Sequence, residues 1–329
     1  MTFLTALTEF TELFLPSLTK NQPIRDYPKV DKNEAWFATF IATALLCFAV
    51  TWIARLSVIN PLVRRVTFFK SRVKSKSKFA QAVTELFTYS IFFYFGCAVL
   101  LPTDWLFDPS QWFEGLKSSS TPSANSNNLR FYYLLYAGRY LSTLISVLVE
   151  KKRKDFAAMV THHAVTVLLV LTSYASNFLQ IGAIIMILLD IADPPLHLAK
   201  LFLYLSRSKI DNFQFIADRC FEIFALVFFV TRILAFTYVA YACIDSVNAN
   251  REYLISEHKF VPAAASCGFV LVLCGLQAYW FYLICKVAIK QIRTGTAEDS
   301  RSDDEFSDDE LEVENTKRQA QAPITKKKQ

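Results

Sequence analysis

Long apolar runs constrain this chain more than anything else in it. Stretches near 20 residues with few charges recur between residues 35 and 286, and about 20 is the length at which an α-helix crosses the hydrocarbon core of a bilayer. Backbone groups find no water there, so runs of this continuity specify helices that satisfy their own hydrogen bonds. Seven spans are expected, at about 35 to 56, 84 to 101, 129 to 149, 156 to 175, 180 to 201, 216 to 242 and 262 to 286. The fold class is therefore an all-α polytopic membrane protein with about seven transmembrane helices. A net charge of +6 would suit nucleic acid, but the basic residues sit in short clusters between apolar runs, where membrane topology explains them.

Loop charge sets the orientation. The loop after the first span carries Arg64, Arg65, Lys70, Arg72, Lys74, Lys76 and Lys78, the loop after the third carries Lys151, Lys152, Arg153 and Lys154, and Arg207 and Lys209 follow the fifth. The alternate loops are poor in Lys and Arg, so the positive-inside rule puts the amino terminus outside or in a lumen and the carboxyl terminus in the cytosol. The last residues, Lys326-Lys327-Lys328-Gln329, fit a cytosolic dilysine retrieval signal and hence an endoplasmic-reticulum membrane. Upstream, SRSDDEFSDDELE is acidic and low in apolar residues, which predicts a disordered tail over 294 to 329. Ser302 and Ser307 precede acidic runs there and are candidate phosphorylation sites. Phe3, Leu4, Leu7, Phe10 and Phe14 fall at helical spacing, expected for a short interfacial helix within residues 1 to 34; a cleaved signal peptide is not expected. Of the seven cysteines most lie inside apolar runs as small core residues, and only Cys243 and Cys267 flank a loop in a way that would let them pair.

Ionisable residues inside spans point to function. A charged side chain at the bilayer centre costs about 2.5 to 3.5 kcal/mol on insertion scales, so such residues face a protein interior. The fifth span carries Asp190 and Asp193 on one helical face, with His197 continuing the stripe. Pro194 has no N–H for the carbonyl of Asp190, which predicts a kink and a freed acceptor beside the carboxylates. The fourth span carries His162 and His163, two of only four histidines in the chain. They lie eight and nine positions past Lys154, roughly 12 to 14 Å along the helix, while Asp193 and Asp190 lie roughly 10 to 15 Å before Lys200. Antiparallel neighbours would bring the four to one level.

Histidine beside carboxylate serves proton transfer or attack on an acyl carbon, with the aspartate fixing the tautomer and supporting the imidazolium. Metal binding is the competing use, since the ligand types suffice. Adjacent histidines on a helix point about 100° apart, however, unlike an i,i+4 pair sharing one ion, so no metal is expected. A structural role for satisfied histidines is the third reading. Arg139 and Arg232, also within spans, serve either as partners of the aspartates or as substrate contacts.

Taken in order, Lys152-Arg153-Lys154-Asp155-Phe156, His162-His163-x-x-Thr166, Ser173-Tyr174-x-x-Asn177, Gly182, Asp190-x-x-Asp193 and Ala199-Lys200 resemble the longevity-assurance (Lag) motif of the ceramide synthases, within a TLC domain. VTRILAF, residues 230 to 236, and the acidic tail are similar to that family too. The resemblance implies a helical barrel with a central intramembrane site, a TLC domain over 81 to 293 with the motif at about 151 to 204, and a first helix with its basic loop over 35 to 80.

It also implies an acyl-CoA-dependent N-acyltransferase that joins a long-chain fatty acyl group to a sphingoid base, with acyl-CoA as co-substrate and no other cofactor. By position His162, His163, Asp190 and Asp193 would be catalytic, and Lys151, Lys152, Arg153, Lys154, Asp155, Ser173, Tyr174, Asn177, Arg139 and Arg232 candidate substrate contacts. The basic cluster would receive the phosphates of CoA. A dimer or a small accessory subunit is the partner expected from this family. The chain departs from many relatives at Leu189, where they have His, at Gln180, where they have Arg, and at His197, where animal members have Glu; the homeodomain-like insert of many animal members is absent. The rival readings are a TLC-domain protein without catalysis, binding lipid or associated with the translocon, and an ion-coupled transporter, for which the inverted repeat is missing.

Overall fold

The structure, a computed structural model, describes residues 35–65, 73–113, 127–150, 154–206 and 213–294. These are helical apart from turns and short connections, with no strand among the described residues. Helix α1 (Ala35–Ile53) passes through a π-helical stretch (Ala54–Ile59) into α2 (Asn60–Arg65). Then follow α3 (Val73–Leu100), α4 (Asn127–Val149), α5 (Phe156–Ala175), α6 (Leu179–Asp190) and α7 (Asp193–Ser206). Helix α8 (Phe213–Phe228) runs through a second π-helical stretch (Phe229–Ala235) into α9 (Phe236–Ala249), and α10 (Arg251–Ser256) leads to α11 (Phe260–Thr294).

Six helical segments among the described residues are long and apolar enough to cross a membrane: Trp36–Arg65, Lys78–Leu100, Phe156–Ala175, Leu179–Ser206, Phe213–Ala249 and Phe260–Arg293. The expected span at 129 to 149 is a helix of 23 residues, α4, but is not among those six. The reason is chemical. It carries Arg130, Arg139 and the tyrosines Tyr132, Tyr133, Tyr136 and Tyr140, and residues 132–140 are buried without a break. A stretch sheathed in protein needs no lipid-facing apolar surface, so its sequence is free to be polar, while the end of α4 that carries Leu148 and Val149 is apolar and exposed. Length and apolarity thus support six spans, and contacts between neighbours do not by themselves make the expected barrel.

Helix α4 packs against both α1 and α5; α5 packs in turn on α11, and α7 packs on both α3 and α8. Small residues set the closest crossings, as van der Waals packing requires where lipid is as apolar as the protein. A Cβ on Gly138 would meet the backbone nitrogen of Ala44 at 2.7 Å, and one on Gly182 would meet the Tyr133 hydroxyl at 1.7 Å. Thr43 Oγ1 donates across the first of these crossings to the carbonyl of Leu134 at 3.1 Å.

The turn between α5 and α6 is tight. Asn177 sits at φ 63°, a left-handed conformation that Asn tolerates, and the Phe178 N–H donates to the Ser173 carbonyl at 2.8 Å. Antiparallel α5 and α6 therefore follow each other with almost no loop. The span Leu179–Ser206 breaks at Ile191 and Ala192, immediately before Asp193-Pro194-Pro195. Neither proline supplies an N–H, so the helical ladder lapses there, at the position where the sequence leads to a kink being expected. Cys243 and Cys267 are free thiols, like all seven cysteines, so the pairing considered from their loop positions is not made.

Candidate active site

Helix α5 carries the two histidines into a cavity of about 190 Å³ that is also lined by Tyr140, Asp193, His197, Arg232 and Trp280. His162 is 8% exposed and His163 2%. Their rings stand edge to face with centroids 5.2 Å apart; Tyr140 lies 5.5 Å from His163, and Trp280 meets His162 edge-on at 5.2 Å. Nδ1 of His162 and both ring nitrogens of His163 have no hydrogen-bond partner among the described residues. A buried polar atom left unpaired costs about 1 to 3 kcal/mol, and cores seldom retain such atoms without a use for them. Here three of them cluster on one wall.

The carboxylates are held by arginines and not by the histidines. Asp190 is 2% exposed; it accepts from Arg139 Nη1 at 3.1 Å through one oxygen and from the Tyr136 hydroxyl at 3.0 Å through the other. Arg139 is enclosed by rings, with its guanidinium carbon 4.4 Å from the centre of Tyr89 and 4.6 Å from that of Phe92. Asp193 accepts from Arg232 Nη2 at 2.7 Å, and the same nitrogen donates to the backbone carbonyl of Leu189. Arg232 lies in the π-helical stretch Phe229–Ala235. Widening the helix by one residue per turn reorients side chains, and such stretches recur at functional sites.

The depth argument therefore brings His162, His163 and Asp193 to one cavity, but Asp190 does not line it. No hydrogen bond joins either histidine to either aspartate among the described residues. Of the two roles expected for Arg139 and Arg232, both residues take that of partner to the aspartates, and Arg232 also faces the cavity. The aspartates being so engaged, no three of His, Cys, Asp and Glu converge as metal ligands among the described residues.

A histidine with a carboxylate does exist in the site, and it is His197. Its Nδ1 lies 3.1 Å from Glu85 Oε2, and its ring stacks on Tyr89 at 4.6 Å. Glu85 and Tyr89, on α3, do not stand out in the sequence. The available signal is an acidic residue at the start of an apolar run, which reads equally well as a solvated helix end. Tyr140 and Trp280 carry no signal at all, since buried aromatics are common.

A second, larger cavity of about 460 Å³ lies between α1, α3 and α4, and Glu85, Tyr89, Asp155 and Met159 line both. Its polar rim holds Arg55 paired with Glu150, and Gln81, which donates to Glu85 at 2.9 Å and to Glu150 at 3.1 Å.

The remaining candidates lie elsewhere. Asp155 is buried at the start of α5 and Lys154 beside it is exposed, whereas Lys151, Lys152, Arg153, Ser302, Ser307, Lys326 and Lys327 fall outside the described residues. Ser173, Tyr174 and Asn177 are at the other end of α5, away from the histidine cavity. Ser173 Oγ donates to the Val170 carbonyl at 3.1 Å, Tyr174 packs on Trp36, and Asn177 Oδ1 accepts from Arg130 at 2.9 Å. The last two contacts tie the α5 end to α1 and α4, while the Ser173 bond stays within α5.

Residues 78–286, more than half of the chain, match the TLC domain. The chain belongs to the TLC-domain family. This TLC-domain protein is 34% identical over 247 residues to ceramide synthase 4 of Mus musculus, a match covering 73% of the chain and 58% of that protein. It is 32% identical over 247 residues to ceramide synthase 4 of Homo sapiens, covering 74% of the chain and 58% of the relative. Ceramide synthase LOH2 of Arabidopsis thaliana is 28% identical over 235 residues, which cover 70% of the chain and 76% of that protein. The matches thus span a little over half the length of the two mammalian relatives.

Proposed function

We propose that this TLC-domain protein is a ceramide synthase, transferring a long-chain fatty acyl group from acyl-CoA to the amino group of a sphingoid base. The observation that carries the reading is the pair His162 and His163. Their unpartnered ring nitrogens face a cavity inside the membrane, beside an Asp193–Arg232 pair and between aromatic walls. The similarity to ceramide synthases supports it.

Both substrates carry long hydrocarbon chains, which explains why the reacting groups lie within the bilayer. The thioester carbon would sit against the histidines. One imidazole nitrogen either adds to it, forming an acyl-imidazole and expelling the CoA thiolate, or removes a proton from the attacking amine. Arg232, held by Asp193 and by the Leu189 carbonyl, has no freedom to swing away. It presents fixed positive charge where the carbonyl oxygen turns negative. CoA would enter from the end marked by Lys154 and Lys200, with Lys151 to Arg153 next to Lys154 in sequence. On this reading that end is cytosolic and the membrane is that of the endoplasmic reticulum. An accessory subunit or a second copy remains part of the proposal.

The test is direct. The purified protein in detergent, given sphinganine and acyl-CoAs of graded length, is expected to form N-acyl product and free CoA, and His162→Ala and His163→Ala each to lose both by about 10²-fold or more. Absence of product from a folded, monodisperse sample with every acyl-CoA, alone and with co-expressed partners, would leave the non-catalytic TLC reading.

A further inference from the structure

Where an imidazole of the His162 and His163 pair carries the acyl group instead of serving as base, acyl transfer to an amine leaves one requirement without an owner. A sphingoid base is a primary alkyl amine, close to lysine in basicity, so it arrives as an ammonium and cannot attack until it loses a proton. His162 and His163 have no carboxylate partner to stabilise a retained proton, and the guanidinium of Arg232 lines the cavity with them. His197 is differently placed. It lines the same cavity, has Glu85 Oε2 at 3.1 Å and rests on the Tyr89 ring. Of the three histidines lining the cavity, it alone has a carboxylate within 4 Å among the described residues.

The larger cavity supplies the rest. Its volume of about 460 Å³ lies in the range of about 300 to 1,000 Å³ usual for ligand sites. Leu46, Val50, Ile91, Phe92 and Leu135 make most of its wall apolar. Val50 is 53% exposed and Ile91 48%, so the cavity reaches the lipid-facing surface of the bundle. It meets the histidine cavity at Glu85, Tyr89, Asp155 and Met159, and the charged groups at that junction are both acidic. Arg139 also borders the larger cavity but is held by Asp190 and covered by Tyr89 and Phe92.

We propose that the cavity between α1, α3 and α4 receives the hydrocarbon chain of the amine substrate from the bilayer, and that the Glu85–His197 pair takes the proton from its ammonium. This rests on the acyltransferase reading. The first ammonium proton passes to His197 and leaves to water at the Lys200 end. The freed nitrogen lone pair forms the C–N bond to the acyl carbon. The bond from that carbon to sulfur, or to imidazole if the acyl group was first moved there, breaks, and the second nitrogen proton goes to the departing thiolate or imidazole. Amide and CoA thiol are the products, and no oxidant or further reactant is needed.

The charged and titratable groups around His197 are Glu85 and Tyr89 on α3, Asp193 and Lys200 on its own helix, Tyr140 on α4, His162, His163 and Asp155 from the α5 segment, and Arg232 from the π-helical stretch. Helix α8 gives the cavity only Ala217, Phe221, Phe224 and Phe228.

The experiment compares two nucleophiles of equal chain length: sphinganine, and a long-chain O-alkyl hydroxylamine whose nitrogen is unprotonated at neutral pH. Wild type, His197→Gln and Glu85→Gln are assayed for N-acylation at saturating acyl-CoA from pH 6 to pH 9. The variants are expected to lose about 10²-fold or more in kcat/KM for sphinganine at neutral pH, recovering as pH rises, while the hydroxylamine reaction stays within about threefold of wild type. The hydroxylamine rate doubles as the control for folding. Equal losses with both nucleophiles, or no loss with sphinganine, would overturn the proposal and leave the acyltransferase reading intact. A folded wild type inactive with both would overturn the two together.

Discussion

Asp190 and Asp193 stand three residues apart, and each holds one arginine, yet they belong to different worlds. The Asp190–Arg139 pair is closed off, with a second bond from Tyr136 and aromatic rings over the guanidinium. The Asp193–Arg232 pair faces the histidine cavity. Burying two charges is costly, and a pair sealed from solvent repays the cost only when every oxygen and N–H is satisfied. The first pair comes nearer to that, with both Asp190 oxygens bonded and rings over the guanidinium, and it ties α4 to α6 across the core. The second gives up some enclosure and places a fixed cation and anion beside the two histidines. The break at Ile191 and Ala192 separates the two, turning neighbouring carboxylates toward different surroundings.

Removing one partner of the sealed pair should have the largest effect. Arg139→Ala leaves Asp190 buried and unpaired, and an unfolding loss of about 3 to 5 kcal/mol is expected, read as a fall in thermal midpoint in detergent. A loss below about 1 kcal/mol would mean that water reaches Asp190 and that the contrast is false. Asp193→Asn should cost about 2.7 kcal/mol of transition-state stabilisation, a 10²-fold fall in acyl transfer, with stability reduced by only about 1 kcal/mol. If stability fell as far as in Arg139→Ala, both pairs would be structural.

Replacing the sealed pair together, Arg139→Met with Asp190→Leu, should restore most of the stability, to within about 1 to 2 kcal/mol of wild type, since no orphaned charge is left. Tyr136→Phe removes one bond from Asp190 and should have the smallest effect, about 1 kcal/mol in stability, with KM for acyl-CoA unchanged. A large KM change there would tie the sealed pair to substrate binding.

Particular residues show how far sequence reaches. The histidines, aspartates and arginines all stand out because charge and imidazole are expensive inside apolar runs, and all six are buried. Their partnerships are not legible. Depth along a helix follows from counting residues at a fixed rise, which brings His162, His163 and Asp193 to one level. Rotation about the axis does not follow, and the π-helical stretch that aims Arg232 leaves no mark in composition. Glu85 escapes notice because an acid at the start of an apolar run looks solvated, although α3 continues past it on both sides and α7 packs against it.

The amino-acid sequence by itself determined that the chain forms membrane-spanning helices, where the short connection between about 175 and 180 and the break before Pro194 fall, and which side chains must be kept from lipid. Those are local consequences of hydrogen-bond geometry and of transfer energy, summed over residues close in the chain. Only tertiary structure decided that arginines hold the aspartates, that residues 132–140 of α4 are enclosed, and that the one histidine with a carboxylate among the described residues is His197. Such choices depend on how helices rotate and approach, which side chains distant in sequence settle jointly through packing.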